Sequence, residues 1–250
     1  MSKRILITLC CTTLIAGCAG GPNKPEASAG RHESAEMLFQ PAQRAMERGD
    51  YSAAIKLYET LETRYPYGPY AEQAQLDTAY SYYRRGDSEA AVAAAERFIK
   101  LHPANPHVDY AWYLKGIAYY QAVQGAEWNP KPAEEALATL NTVATRWPNS
   151  AYATDARLRM AKIIHILGKR NLEICKFYYM RHAYVAAANR CSTVITRYQL
   201  SSAREEALYY LARSYRHLNL QKLARTTTAI LAYNYPKSKY LSDLGSGAKS

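Results

Sequence analysis

Proline ends helical segments at recurring places along the chain, and these regular helix breaks constrain the fold more than any other feature. A proline cannot continue a helix, because it has no N–H and its ring crowds the preceding turn. An alanine precedes each break by 12 positions, and the pairs are Ala54 with Pro66, Ala91 with Pro103, Ala136 with Pro148, Ala187 with Gln199, and Ala224 with Pro236. The intervals between these alanines are 37, 45, 51 and 37 residues. A chain that repeats in this way is expected to be a repeat protein.

The repeating unit resembles the tetratricopeptide repeat, in which a small residue lies in the second helix and a proline follows its end. The small residue lets the second helix approach the first, and each pair exposes an apolar face that its neighbour must cover. No stretch alternates in the two-residue rhythm of a strand. The sequence therefore predicts an all-α fold over residues 34–240, a superhelix of five tetratricopeptide-like helix pairs (an α-solenoid).

Capping residues and apolar spacing set the expected helix bounds. The expected pairs are 34–48 with 52–64, 70–85 with 88–101, 107–123 with 132–146, 151–181 with 184–197, and 204–217 with 221–233. One long helix over 151–181, with Gly168 as a candidate kink, accounts for the interval of 51 residues. Residues 241–250 are expected to form a disordered tail.

The first residues indicate export. Lys3 and Arg4 precede a short apolar stretch at 5–15, which is typical of a signal peptide and is short for a membrane span. The stretch ends in Ile-Ala-Gly-Cys at 15–18, which resembles a bacterial lipobox; the alternative is an ordinary export signal with an incidental cysteine. We expect residues 1–17 to be the signal peptide, Cys18 to be lipidated, and 18–33 to be the lipidated N-terminus and flexible tether. Ala19 in the second position implies the outer membrane by the lipoprotein sorting rule.

Two further cysteines, Cys175 and Cys191, lie on either side of a helix turn at His182. The periplasm permits disulfides, so the two could face each other across a helix hairpin. Two buried thiols that act as small hydrophobes are the favoured interpretation.

The charge is divided unevenly along the chain. Residues 19–150 hold 13 Lys and Arg against 16 Asp and Glu, a net charge of −3, whereas residues 151–250 hold 17 against 5, a net charge of +12. The basic half could meet an acidic protein surface, anionic lipid or lipopolysaccharide, or it could be a solvated face without a partner. Export argues against nucleic acid as a partner.

No group of residues predicts catalysis. The chain lacks G-x-S-x-G, H-E-x-x-H and a phosphate-binding glycine loop. His102 and His107 have no carboxylate or cysteine at a spacing suited to a metal. We therefore expect no enzyme activity, no cofactor and no metal.

Tyrosines crowd the junction between the first two repeats. Packing between helices explains about half of them, but Tyr67 and Tyr70 belong to the connecting segment and are less easily buried. A tyrosine ring offers a large rigid surface with a polar tip, which suits binding of an extended peptide.

Three blocks of sequence resemble the BamD/ComL lipoprotein family. They are RYPYGPY at 64–70 with QAQLD at 73–77 and AYSYY at 79–83; RFI at 97–99 with LHP at 101–103 and DYA at 109–111; and YYMRHAYVAAANR at 178–190. Together with the lipobox, the resemblance covers nearly the whole chain. It implies a periplasm-facing outer-membrane lipoprotein of the β-barrel assembly machinery, with five tetratricopeptide-like repeats.

The resemblance also implies partners and sites. The C-terminal repeats would bind the periplasmic domain of the barrel protein BamA, through Tyr184, Asn189 and Arg190. The N-terminal repeats would bind unfolded outer-membrane protein clients, and in some species the lipoprotein BamC. The client-binding residues by this likeness are Tyr65, Tyr67, Gly68, Pro69 and Tyr70.

The fourth repeat departs from the family pattern. It has His182 where the family usually has glycine and Gln199 where it usually has proline, so either His182 adopts a left-handed cap or the turn differs. The loop at 124–131 is shorter than in some relatives, and contacts made through it are in doubt. The alternative function is another lipidated repeat adaptor of the cell envelope, such as a secretin pilotin or a peptidoglycan-associated organiser.

Overall fold

The computed structural model describes residues 34–123 and 129–246. The signal peptide, Cys18 and the tether at 18–33 therefore lie outside the described residues. The helices are α1 (Ala35–Glu47), α2 (Tyr51–Arg64), α3 (Pro69–Arg85), α4 (Ser88–Leu101), α5 (Val108–Val123), α6 (Lys131–Arg146), α7 (Ala153–Met180), α8 (Tyr184–Arg197), α9 (Arg204–His217), α10 (Gln221–Asn234) and α11 (Tyr240–Ser246). No strand occurs in these ranges, and none of the helices in them is long and apolar enough to cross a membrane.

The first ten helices form five antiparallel pairs, which confirms the predicted solenoid. Each helix packs on the next along the chain, and the first helices of neighbouring pairs also touch, as α1 with α3 and α5 with α7. The second helices of neighbouring pairs make no such contact within the described residues. The first helices therefore form the inner wall of the superhelix, and the second helices lie outside.

Small residues and repeated cap geometry explain the regular stacking. The five register alanines, Ala54, Ala91, Ala136, Ala187 and Ala224, are at most 2% exposed. Tyr198 ends α8 with φ −121° and ψ 48°, close to the values of Tyr65 before Pro66. Gln199 therefore follows the same backbone turn as the prolines of the other repeats, and the turn does not depend on a proline ring.

The turns inside the first, second, fourth and fifth pairs each use a left-handed residue, which is Gly49 in the first pair. Gly86 has φ 89°, and in the fourth and fifth pairs His182 has φ 61° and Asn219 has φ 59°. Of the two alternatives at His182, the structure thus has the left-handed cap, at a conformational cost that glycine would not incur.

Helix α7 runs without a break through Gly168, so this glycine has a role other than breaking the helix. A Cβ at Gly168 would lie 2.3 Å from Oγ of Ser201. The absent side chain lets the α8–α9 connection approach the helix. The N-terminal half of α7 belongs to a core shared with α5 and α6, and its C-terminal half to a core shared with α8 and α9.

Cys175 and Cys191 form a disulfide, so the expectation of two free thiols is wrong. The antiparallel packing of α7 on α8 brings their Cα atoms to 5.4 Å, which lies within the range that a disulfide can bridge. Both residues are fully buried. The bridge lies in the fourth repeat. This repeat has no glycine in the turn between its helices and no proline after its second helix.

Within the expected tail at 241–250, residues 241–246 belong to helix α11, whereas 247–250 lie outside the described residues. The ring of Tyr240 stacks on Tyr209 at 4.6 Å, and Leu244 is 2% exposed. The last pair has no following repeat to cover its apolar face, and α11 covers part of it.

Candidate interaction surfaces

The segment between α2 and α3 carries the five residues assigned to clients, and the structure gives them different environments. Tyr67 is 90% exposed, whereas Tyr65 and Tyr70 are half-buried. The ring of Tyr70 lies 5.4 Å from that of Phe39 and joins the core of the first pair. Gly68, with φ 97°, and Pro69 begin α3 and fix the direction of the chain. Tyr67 is therefore the ring that projects into solvent here.

Tyrosines fill the seams between the first helices of neighbouring pairs. Tyr110 and Tyr113 of α5 lie 5.0 and 4.9 Å from Tyr152, which precedes α7. Tyr179 of α7 lies 5.1 Å from Tyr210 of α9. Such tilted and stacked pairs contribute to packing beyond the area they bury. The high tyrosine content is therefore mainly a feature of how the repeats stack, more than the sequence alone indicates.

A largely buried carboxylate lies beneath this junction. Tyr58, which is fully buried, donates its hydroxyl to Oδ2 of Asp77 at 3.2 Å, and Gln73 donates its amide to Oδ1 at 2.9 Å. Burial raises the pKa of Asp77 to about 6, although both hydrogen bonds act in the opposite direction. Burial and the neighbouring Asp77 also raise the pKa of Tyr58.

This carboxylate predicts a specific pH dependence. The pKa of Asp77 is higher in the folded chain than in the unfolded chain, so protonation of Asp77 stabilises the fold. This stabilisation is fully present below about pH 4 and is lost as the pH rises through 6. The variant Asp77→Asn is expected to raise the free energy of unfolding by about 1 to 2 kcal/mol at pH 7.5 and to give no gain at pH 4. Urea unfolding at both values measures this, with the exposed Glu89→Gln as control. An equal effect of Asp77→Asn at the two pH values would contradict the assignment.

A second surface lies where the turn of the fourth pair meets that of the fifth. Tyr184 begins α8, stacks on the ring of His217 at 4.1 Å, and its hydroxyl lies 2.7 Å from Nδ1 of His182. These contacts border an open groove of about 480 Å³, lined by His182, Ala183, Tyr184, Val185, Ala186, Asn189 and Leu218. We call this surface the α8 groove.

The structure brings two of the three BamA-assigned residues together. Tyr184 and Asn189 line the α8 groove, whereas Arg190 is exposed beside it and has no acidic partner within the described residues. Val185, which is 61% exposed, and Leu218 also line the groove and were not singled out by sequence reasoning. Val185 precedes the buried Ala187 by two positions, which places it on the opposite side of the helix. Its position opposite a buried alanine could have identified Val185 as an exposed apolar residue from the sequence.

Comparison with known proteins decides the family. A family model described as "YfiO: Outer membrane lipoprotein" matches residues 31–231. The outer membrane protein assembly factor BamD of Neisseria meningitidis serogroup B is 38% identical over 250 residues, covering 96% of this chain and 94% of that protein. The chain belongs to the BamD family. A family member from Caulobacter vibrioides is 33% identical over 92% of this chain and 75% of its own length.

Membership in the BamD family confirms the resemblance seen in the sequence and associates the chain with outer-membrane protein assembly. The curated relatives are assembly factors, which agrees with the expectation that the chain is not an enzyme. Among solved structures, a thermophilic TPR protein of Thermus thermophilus aligns with a TM-score of 0.42 and 16% identity, over 85% of this chain and 98% of that chain. That likeness is too distant to carry an argument. No group of three His, Cys, Asp or Glu in the described ranges could hold a metal ion.

Proposed function

We propose that this chain is a scaffold of the β-barrel assembly machinery, anchored by a lipid on Cys18 to the outer membrane and facing the periplasm. Relatives that match over nearly its full length are named outer membrane protein assembly factors. The matching family model is described as an outer membrane lipoprotein, which supports lipidation of the cysteine at the end of the signal-like segment. The scaffold binds two classes of protein at opposite ends of the solenoid.

The α8 groove is the docking surface for the periplasmic domain of BamA, and its geometry is the observation that carries this assignment. Its floor is apolar at Val185 and Leu218, and Asn189 provides a polar edge. The exposed Arg190 adds a positive charge in the half of the chain whose net charge is +12. Apolar contacts surrounded by polar and charged residues are typical of protein interfaces. An acidic edge on the partner would complement this surface.

The segment around Tyr67 is the surface for unfolded outer-membrane protein clients. Its exposed ring offers rigid apolar area at little entropic cost. Pro69 and the packed Tyr70 hold the segment in place, so the ring is presented from a fixed backbone. Further lipoproteins of the same machinery are additional partners of the scaffold.

Capture of BamA tests the assignment. The full chain, purified in detergent with a tag, is expected to capture BamA, and Arg190→Glu is expected to weaken capture by about tenfold, since a reversed charge replaces attraction with repulsion. Arg225→Glu, an exposed cation on α10, serves as the matched control and should leave capture unchanged. Undiminished capture by Arg190→Glu would exclude this site. In the same preparation, Tyr67→Ser should reduce crosslinking of a client C-terminal peptide without affecting BamA.

A further inference from the structure

Helix α7 carries an exposed stripe that neither proposed docking surface uses. Its members lie on one face of the helix, at spacings of three, four and eight residues, and are Leu158, Lys162, Ile166, Lys169, Phe177 and Met180. They fall within about 120° of the helix surface and extend for about 33 Å. The apolar members are exposed by 61%, 39%, 51% and 72% in chain order. We call this set the α7 stripe.

The α7 stripe lies on the inner wall of the superhelix. The neighbouring first helices both contact α7. Asp155, near its start, accepts a hydrogen bond from Tyr113 of α5 at 2.6 Å. Lys176, near its end, pairs with Glu206 of α9 at 3.2 Å. Helices α6 and α8 cover the back of α7. The helices that pack on α7 leave the stripe uncovered. The stripe therefore faces the open concave side of the superhelix.

The two lysines of the stripe lie outside any ion pair among the described residues, although Asp155 is close enough to Lys162 to interact with it electrostatically. Lys162 and Lys169 are exposed and form no ion pair with another described residue. Glu173 lies on the same face between Lys169 and Phe177, and it pairs with Lys176 at 3.3 Å. The guanidinium of Arg181 lies over the ring of Phe177 at 4.4 Å and adds a further cation at the C-terminal end.

Leu200 is an exposed apolar residue beside the middle of α7. It is 84% exposed in the connection between α8 and α9. That connection packs on the middle of α7, where Oγ of Ser202 lies 3.1 Å from Nδ1 of His165. Leu200 therefore adds exposed apolar surface next to the stripe, on the side of α7 that carries His165.

We propose that the α7 stripe binds an acidic, amphipathic segment of a partner protein inside the superhelix. Apolar side chains of that segment would cover Leu158, Ile166 and Phe177, and its carboxylates would pair with Lys162 and Lys169. A basic amphipathic helix face can also bind an anionic membrane, but a planar bilayer cannot reach a concave inner wall. This inference does not depend on the α8 groove or on Tyr67, because it concerns a third surface.

A designed peptide tests the proposal. The probe is a fluorescent amphipathic helix of about 20 residues, with leucines on one face and glutamates on the other. It is titrated against the full chain in detergent and followed by anisotropy. The double variant Lys162→Glu/Lys169→Glu is expected to weaken binding at least about tenfold, and added salt should weaken binding to the unaltered chain. The matched control is Lys222→Glu/Arg225→Glu on α10, which reverses the same number of exposed charges.

A charge-swapped probe keeps the test decisive. The same peptide with lysines in place of glutamates should bind the Lys162→Glu/Lys169→Glu variant more tightly than it binds the unaltered chain. Equal binding of the acidic peptide to both chains, or equal binding of a sequence-scrambled acidic peptide, would overturn the proposal. Equally strong binding of the chain to phosphatidylglycerol vesicles, lost in the same variant, would also overturn it in favour of lipid. Helix content and Tm of each variant are measured first to establish that it is folded.

Discussion

Reducing the disulfide between Cys175 and Cys191 is expected to lower the free energy of unfolding by about 3 kcal/mol. The bridge joins residues 16 positions apart and thereby restricts the unfolded chain. The bridge also helps to hold the turn of the fourth repeat, in which a histidine adopts the left-handed conformation. Since Cys191 directly follows Arg190, a loosened hairpin is expected to weaken BamA capture as well.

The measurement compares oxidised and reduced protein without changing any other atom. Both sulfur atoms belong to fully buried residues, so the reductant must be present while the chain is unfolded and refolded. Urea unfolding with and without dithiothreitol gives the difference in free energy. The variant Cys175→Ala/Cys191→Ala should be destabilised and should not respond to dithiothreitol. Equal unfolding midpoints for oxidised and reduced protein would show that the bridge does not stabilise the fold.

The solenoid was predictable because its signals are local. Alanine at the closest approach of two helices and a break 12 residues later each act within one repeat, and four of the five breaks are prolines. At His182 the sequence left two alternatives, a left-handed cap or a different turn, and the structure has the first. These features depend on neighbours in the chain, so the sequence contains what is needed to find them.

The remaining features depend on contacts between distant residues. The disulfide requires the register of α7 against α8, and cysteine spacing does not determine that register. The seam between Tyr110 and Tyr152 joins neighbouring repeats, so a count of tyrosines cannot separate packing rings from exposed rings such as Tyr67. The α8 groove likewise exists because the turns of two pairs meet. Its residues Tyr184 and Asn189 were found through family likeness, whereas Leu218 lies in another repeat and was missed.

The variant Gly168→Ala is expected to lower the free energy of unfolding by about 2 to 3 kcal/mol, although alanine is the better helix former by about 1 kcal/mol. The added Cβ would lie 2.5 Å from Cβ of Ser201, which cannot move without its backbone. That backbone is held by the hydrogen bond from the N–H of Ser201 to the carbonyl of Tyr198 at 2.9 Å. The α8–α9 connection must therefore shift away from α7, which separates the two cores that α7 joins.

Removing the obstructing side chain should reverse this effect. In a Ser201→Gly background the same Gly168→Ala change is expected to cost little, because both atoms of Ser201 that crowd the site are absent. Gly116→Ala is the control for specificity, since its Cβ would meet Cδ2 and Cγ of the buried Leu140 at 2.6 and 2.9 Å, and the loss it causes should not change in the Ser201→Gly background. Thermal and urea unfolding of the four combinations at positions 168 and 201 give the coupling energy directly. If the two changes prove additive, the close approach of Ser201 is not what requires glycine at position 168.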